Sequence, residues 1–210
     1  MSISWFNILS GALLAAVISL AAWRAGSLSR QGAFAAAMLG IVIFGLGGLG
    51  WAILLLGFFI SSSILSRLFK RNKSALEAMF SKGSQRDAAQ VAANGGIAGL
   101  FVLLHVFLPG SVWAWAAFAG ALAAANADTW ATELGVLSRA APRLITSGKT
   151  VERGTSGGIT PLGTLASASG ALLIALLAVL FWQGRVAGLP AGAPVWLASL
   201  LGANHPIQAL

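Results

Sequence analysis

Ala33-Phe-Ala-Ala-Ala-Met-Leu-Gly-Ile-Val-Ile-Phe-Gly-Leu-Gly-Gly-Leu-Gly-Trp-Ala-Ile-Leu-Leu-Leu-Gly-Phe-Phe-Ile-Ser-Ser-Ser-Ile-Leu65 is the stretch on which the fold turns. It is apolar almost throughout. As one helix it would be about 50 Å long, against a bilayer hydrocarbon core of about 30 Å. Gly45, Gly47, Gly48 and Gly50 interrupt it midway. Glycine is permissive in tight reversals and costly in helix interiors. The stretch therefore predicts two helices, over 33–46 and 51–65, joined by a glycine turn. The choice decides on which side of a membrane everything downstream lies.

Working outward, an apolar run over 5–23 carries Trp5 and Trp23 at its ends, where interfacial tryptophan belongs. It has no basic residues ahead of it and no cleavage signal after it, so it reads as a first span and not a removable leader. Further runs cover 88–108 and 112–134, separated by Pro109-Gly110-Ser111, and then 162–182. Each approaches the ~20 residues needed to cross a bilayer. The expected fold class is all-α: a polytopic membrane helix bundle of about six spans, forming one transmembrane domain over 1–182. The tail, 183–210, is interrupted by Gly and Pro, and its run Val195 to Leu201 is too short to span, at most a shortened final helix.

The charges test this layout. Of the 13 Lys and Arg residues, 12 fall in segments 24–32, 66–87 and 135–160, and only Arg185 falls elsewhere. With two helices in the 33–65 stretch, those three segments share one side. The positive-inside rule makes them cytoplasmic loops, the last two long and polar, and leaves the N-terminus outside. The same rule accounts for the net charge of +8 without nucleic acid. The chain is 58% hydrophobic and 9% charged, with a mean hydropathy of +0.86, which excludes an ordinary soluble domain. With no cysteine, thiolate metal sites and Cys nucleophiles are excluded too. Residues 70–80 suggest an interfacial helix, with Leu76, Met79 and Phe80 on one face and Lys70, Arg71 and Lys73 offering charge to anionic lipid. His105 and His205 lack metal-like partners in the sequence, and the tryptophans mostly mark span ends.

Three polar constellations need an explanation. Two of only five acids, Asp128 and Glu133, lie in or at the end of an apolar helix, in Ala125-Asn126-Ala-Asp128-Thr129-Trp-Ala-Thr-Glu133-Leu-Gly135. Ionisable groups at bilayer depth are expensive and point to function by default. Asn126, Thr129 and Glu133 share a helical face; Asp128 sits about 140° around from Glu133, so the two acids either need a distorted helix or have separate tasks. The structural alternative is neutralisation by Arg139 or Arg143. The second constellation is Lys149-Thr-Val-Glu152-Arg153-Gly154-Thr155-Ser156-Gly157-Gly158. Its glycines let backbone N–H groups approach an anion, its hydroxyls and cations add donors, and the next helix starts just afterwards with its positive dipole end. It is a phosphate-cradle candidate without a Walker A pattern. The third is Lys82-Gly-Ser-Gln-Arg86-Asp-Ala-Ala-Gln90-Val-Ala-Ala-Asn94-Gly95-Gly96. Gln90 and Asn94 share a face, which suits either interhelical hydrogen bonding or a wall facing a nucleotide, and the glycines beside Asn94 suggest a close helix contact or a local break.

Those motifs, Lys82 to Gly95, Ala127-Asp128-Thr129-Trp130-Ala-Thr-Glu133-Leu-Gly135 and Gly154-Thr155-Ser156-Gly157-Gly158-Ile-Thr, resemble the family of transmembrane protein 19 and the plant phytyl-phosphate kinases over roughly 32–170. More distantly, Asp128-x-x-Ala131 followed by Lys149-Thr-Val-Glu152-Arg-Gly154-Thr155 is similar to the CTP-dependent dolichol and phytol kinases. The chain has Glu152-Arg153 where the first family usually carries prolines, and Ala198 where its last helix has an acid. The resemblance implies a membrane-embedded kinase that transfers a phosphoryl group from a nucleotide, CTP for preference, to a prenyl monophosphate such as phytyl or geranylgeranyl phosphate. It implies Mg²⁺ on Asp128 and Glu133 with help from Asn126, Lys149 as a catalytic cation, and Arg86, Gln90, Asn94, Arg153 and Gly154 to Gly158 around nucleotide and phosphates. Mg²⁺ commonly takes one or two carboxylates plus substrate phosphates, and phosphoryl transfer chiefly needs positioning and charge neutralisation.

Two other readings use the same residues. An ion-coupled transporter would place Asp128 and Glu133 on a coupling ion. A lipid-phosphate cytidylyltransferase would need the same metal and nucleotide site and differ in releasing pyrophosphate.

Overall fold

The computed structural model describes residues 5–69, 85–108 and 112–182. The expected interfacial helix at 70–80, Lys82 and the tail with Ala198 lie outside the described residues. Among the described residues six α-helices carry the fold: α1 (Trp5–Arg24), α2 (Arg30–Val42), α3 (Leu49–Leu68), α4 (Ala88–Phe107), α5 (Val112–Gly135) and α6 (Pro161–Leu180). Four helical segments among them are long and apolar enough to cross a membrane: Arg30–Gly47, Leu49–Leu68, Ala88–Phe107 and Pro161–Leu180.

The long apolar stretch does divide at its glycines. α2 widens into a π-helical turn over Ile43–Gly47, and Gly48 then takes φ 82°, where any L side chain is strained. Both halves are longer than the expected 33–46 and 51–65. Ser29 caps α2 by accepting from Gly32 N at 3.0 Å, which recruits Arg30 and Gln31 into its first turn, and α3 runs on through Ser66 and Arg67.

The helices alternate in direction. Arg67, near the end of α3, donates to Ala25 O and Ser27 Oγ at 2.7 Å each, between α1 and α2. In the same place the backbone of Arg86, just before α4, pairs with the α1–α2 loop: Arg86 N donates to Ser27 O and Ser29 N donates to Arg86 O, both at 3.0 Å. Thr160 caps α6 and its hydroxyl reaches Gly135 O, at the end of α5, at 3.5 Å. Described residues of all three basic segments therefore gather at one end of the bundle. The fold is not purely helical: between α5 and α6, β1 (Arg143–Leu144) and β2 (Gly158–Ile159) form an antiparallel ribbon. Two-residue strands leave no periodicity in a sequence, and the glycine-rich composition conceals this one.

At the opposite end lies the apolar core. Trp51 packs on Phe118 at 4.7 Å and edge-on against Trp115 at 5.0 Å between ring centroids, with His105 beside it at 5.1 Å. Trp51 and Trp115 are buried, so these two are core residues and not span-end markers. Leu9, Leu13, Phe34, Leu100, Leu165 and Leu172 face outward, the exterior a bilayer requires. α5 and α6 approach through small residues, as membrane helices do: a Cβ on Gly163 would sit 3.3 Å from Gly135 Cα, and one on Gly170 3.1 Å from Asn126 O.

Asn126 is part of this packing. It is fully buried, its Nδ2 donates to Gly170 O at 2.8 Å on α6, and its Oδ1 accepts from Ser61 Oγ at 3.2 Å on α3. Asn126→Ala should lower stability by about 1–2 kcal/mol, the range of interhelical polar contacts in membranes. Thermal unfolding in detergent checks it.

Candidate functional site

A cavity of about 1100 Å³ opens at the end of the bundle where the basic segments gather. Its walls come from α3, α4, α5, α6 and the ribbon, and they bring together most of the residues singled out in the sequence. Arg86, Gln90 and Asn94 line it from the start of α4, Asp128, Thr129 and Glu133 from α5, and Arg153 with Gly154 to Gly158 from the ribbon loop. Segments far apart in the chain, each distinctive in sequence, thus share one solvent space.

Each side chain is held differently. Asp87 caps α4, accepting from Gln90 N at 2.8 Å, while its own N donates to Gln90 Oε1 at 3.1 Å. This reciprocal capping box commits Gln90 Oε1 to the start of α4, at the cavity wall. Asn94 follows one turn later. Of the two glycines beside it, Gly95 makes a close contact with Leu39 of α2, as Gly99 does one turn on, while Gly96 meets nothing within 4 Å, and the helix does not break. Arg86 Nη1 donates to Ser63 Oγ at 2.8 Å, and its guanidinium lies 5.7 Å from the centre of the Phe59 ring. Burial lowers the Arg86 pKa from its ordinary value and the charge of Glu133 opposes that shift; an arginine stays charged regardless.

Glu133 is buried and accepts from Ser66 Oγ at 2.8 Å, whereas Asp128 is exposed to the cavity. Despite their angular separation on α5, both carboxylates line the same space. The charges of Arg86 and Glu133 act on one another, and Arg143 Nη1 donates to Gly148 O in the ribbon turn. Arg153 folds back on the end of α5, donating from Nη2 to Ser138 O at 2.7 Å and from Nη1 to Val136 O at 3.3 Å. It clamps the glycine loop over the cavity and lends it positive charge. Gly154 and Gly157 take φ 91° and 76°, which only glycine adopts freely. The N-terminus of α6 opens onto the same space through Thr160, Gly163, Thr164 and Ser167, so its dipole faces the loop.

Two expected site residues are elsewhere. Asn126 does not line the cavity, because its amide is engaged by α3 and α6 on the packed side of α5. Lys149 is exposed on the ribbon turn, where its carbonyl accepts from Leu144 N, and it is not among the lining residues. Lys149→Ala should leave stability within about 0.5 kcal/mol of wild type, as for a surface change away from a special feature; thermal unfolding in detergent checks it.

The sequence reading missed the serines of α3. Ser61, Ser63 and Ser66 bond respectively to Asn126, Arg86 and Glu133, so a single helix orients three of the polar groups. The signal was the run Ser61-Ser62-Ser63-Ile-Leu-Ser66 at the end of an apolar segment.

The donor set suits Mg²⁺ in one respect. Among the described residues no cluster of three or more His, Cys, Asp or Glu side chains surrounds a common point, so a cage made wholly of protein is not available there. Two carboxylates lining a wide polar cavity match an ion that keeps waters and shares substrate phosphates.

Comparison with known proteins adds the family. Residues 13–205 match the family described as integral membrane protein DUF92. The chain belongs to it. This DUF92 protein is 37% identical over 170 residues to an uncharacterized membrane protein of Methanocaldococcus jannaschii, an alignment taking in 81% of this chain and 69% of the archaeal one. It is 33% identical over 189 residues to Protein PGR of Arabidopsis thaliana, over 84% of this chain and 65% of that protein. An uncharacterized membrane protein of Synechocystis is 29% identical over 143 residues, 67% of this chain and 55% of the relative. No solved structure matches this DUF92 chain.

Proposed function

We propose that this DUF92 protein is a membrane-embedded lipid-phosphate kinase: it transfers the terminal phosphoryl group of a nucleoside triphosphate, CTP for preference, to an isoprenoid monophosphate. The observation that carries the reading is that one cavity is lined at once by the arginine-glutamine-asparagine face of α4, the two carboxylates of α5 and the glycine loop of the ribbon. These are the three motifs on which the resemblance to the phytyl-phosphate kinases rests.

The chemistry asks little of a general base. The acceptor is already a phosphate oxyanion; its oxygen attacks the terminal phosphorus, the bond from that phosphorus to the bridging oxygen breaks, and the nucleoside diphosphate leaves. Catalysis of such a transfer consists of holding the groups in line and neutralising charge. No histidine is among the described residues lining the cavity, in keeping with that demand. Arg86 and Arg153 supply fixed positive charge, the glycine loop and the α6 N-terminus supply backbone N–H groups, and Asp128 and Glu133 would hold Mg²⁺, whose charge would help neutralise the transferring phosphate. Ser66 orients Glu133 and Ser63 orients Arg86.

The topology belongs to the same proposal: six crossings, the N-terminus outside, and the cavity facing the cytoplasm, where nucleotide is. Its support is that the basic segments converge at one end, as the positive-inside rule expects of cytoplasmic loops. Purified protein in detergent, given Mg²⁺, labelled CTP or ATP, and phytyl or geranylgeranyl phosphate, should release nucleoside diphosphate and form the prenyl diphosphate. Pyrophosphate release would make it a cytidylyltransferase instead, and a folded protein that turns over no nucleotide would overturn the kinase.

A further inference from the structure

Beside the polar cavity runs a second, narrow space of about 70 Å³ between α1, α2, α3 and α4. Its walls are apolar. Small residues on α1 (Ala15, Ala22) and on α2 (Ala36, Gly40) open it, and Phe58 and Phe59 of α3 close the far side. Along α2 and its π turn the lining runs from Ala36 through Gly40 to Phe44, about 12 Å at the helical rise of 1.5 Å per residue. At Gly40 the wall is tight: a Cβ there would lie 2.8 Å from Ala15 Cβ.

Among the described residues Arg86 is the single charged side chain on its walls, and Arg86 and Asn94 line both this groove and the polar cavity. An apolar slot that ends in a half-buried guanidinium, and passes there into a polar chamber, matches an amphiphile with one hydrocarbon chain and an anionic head. Water gains nothing in such a slot, and an apolar chain leaving solvent does. We infer that the groove holds the first part of the hydrocarbon chain of a single-chain lipid monophosphate, the phosphate lying at Arg86 in the cavity and the remainder of the chain continuing into the bilayer. The inference rests on the kinase reading for the identity of the head group, and it adds a selection: one chain enters, so two-chain phosphatidate is refused.

Binding tests this apart from turnover. The full chain, in nanodiscs of phosphatidylcholine, is titrated with labelled phytyl phosphate, and separately with Mg-CTP. Ala36→Trp, which fills the groove, should weaken phytyl phosphate binding at least tenfold and leave the Mg-CTP affinity unchanged, and excess phosphatidate should not displace the labelled lipid from the wild type. Unchanged lipid affinity in Ala36→Trp, or displacement by phosphatidate as effective as by unlabelled phytyl phosphate, overturns the inference. Should Ala36→Trp elute abnormally on size exclusion, the graded series Ala36→Val and Ala36→Leu decides: affinity falling with side-chain volume supports the groove, and a flat response overturns it. Wild type that binds the lipid phosphate in this groove-dependent way but turns over no nucleotide would overturn the kinase and leave the groove standing.

Discussion

Asp128→Asn is expected to lower phosphoryl transfer by about 10²–10³-fold, the scale seen when one preorganised electrostatic partner of a transition state is removed. The substitution preserves volume and removes charge. Asp128 is exposed to the cavity, so the change leaves no buried partner orphaned, and elution on size exclusion should match wild type. Glu133 differs: it is buried and bonded to Ser66, so its loss would mix stability with chemistry. Asp128 is therefore the cleaner probe of the two carboxylates. Turnover is measured with saturating lipid phosphate across a Mg²⁺ titration. A variant that retains activity within about threefold, an energy change of under about 0.7 kcal/mol, would remove Asp128 from the site.

The second large effect is expected far from the carboxylates. Gly32 lies in the first turn of α2, and a Cβ there would collide with the carbonyl oxygen of Arg86. Backbone cannot swing aside as a side-chain end can. Gly32→Ala should push the segment before α4 away from the α1–α2 loop, weaken the hydrogen bond from Ser29 N to Arg86 O, and carry the guanidinium off Ser63. Overpacking of this kind costs about 1–3 kcal/mol, and turnover should fall at least tenfold with it. The check is a paired measurement of unfolding temperature and of turnover below the transition. Wild-type values for both would show that the segment is not fixed by this contact.

Much of the helix layout was legible because a bilayer imposes length: apolar runs near 20 residues, ended by Pro109, Gly135 and Pro161, leave few choices. Gly45, Gly47, Gly48 and Gly50 announced a reversal for the same reason. The site was legible in outline, since Asp128, Glu133, Arg86 and the glycine loop are costly or conformationally special residues in an otherwise apolar chain. Which way a polar group turns was not. Asn126 and Glu133 share a face by spacing, yet one meets α3 and α6 and the other lines the cavity, because helix rotation and neighbour depth divide a face that seven residues of sequence cannot. The serines of α3 drew no notice in the sequence; their partners are tens of residues away and exist only once the helices pack. Lys149 looked central by its neighbours in sequence, but the ribbon turn carries it outward.

Gly48 has one more consequence. A chain that threads a sheet an even number of times between two points returns to the side it left, and an odd number strands it opposite. Arg67 reaching back to Ala25 and Ser27 is the physical record of an even count between α1 and α4. Had residues 30–68 formed one unbroken rod, about 58 Å long at the helical rise, Arg86 would stand across the bundle from Ser27. The π turn and Gly48 thus set the parity of the chain between α1 and α4, and with it whether Arg86 can share a cavity with the carboxylates and the glycine loop.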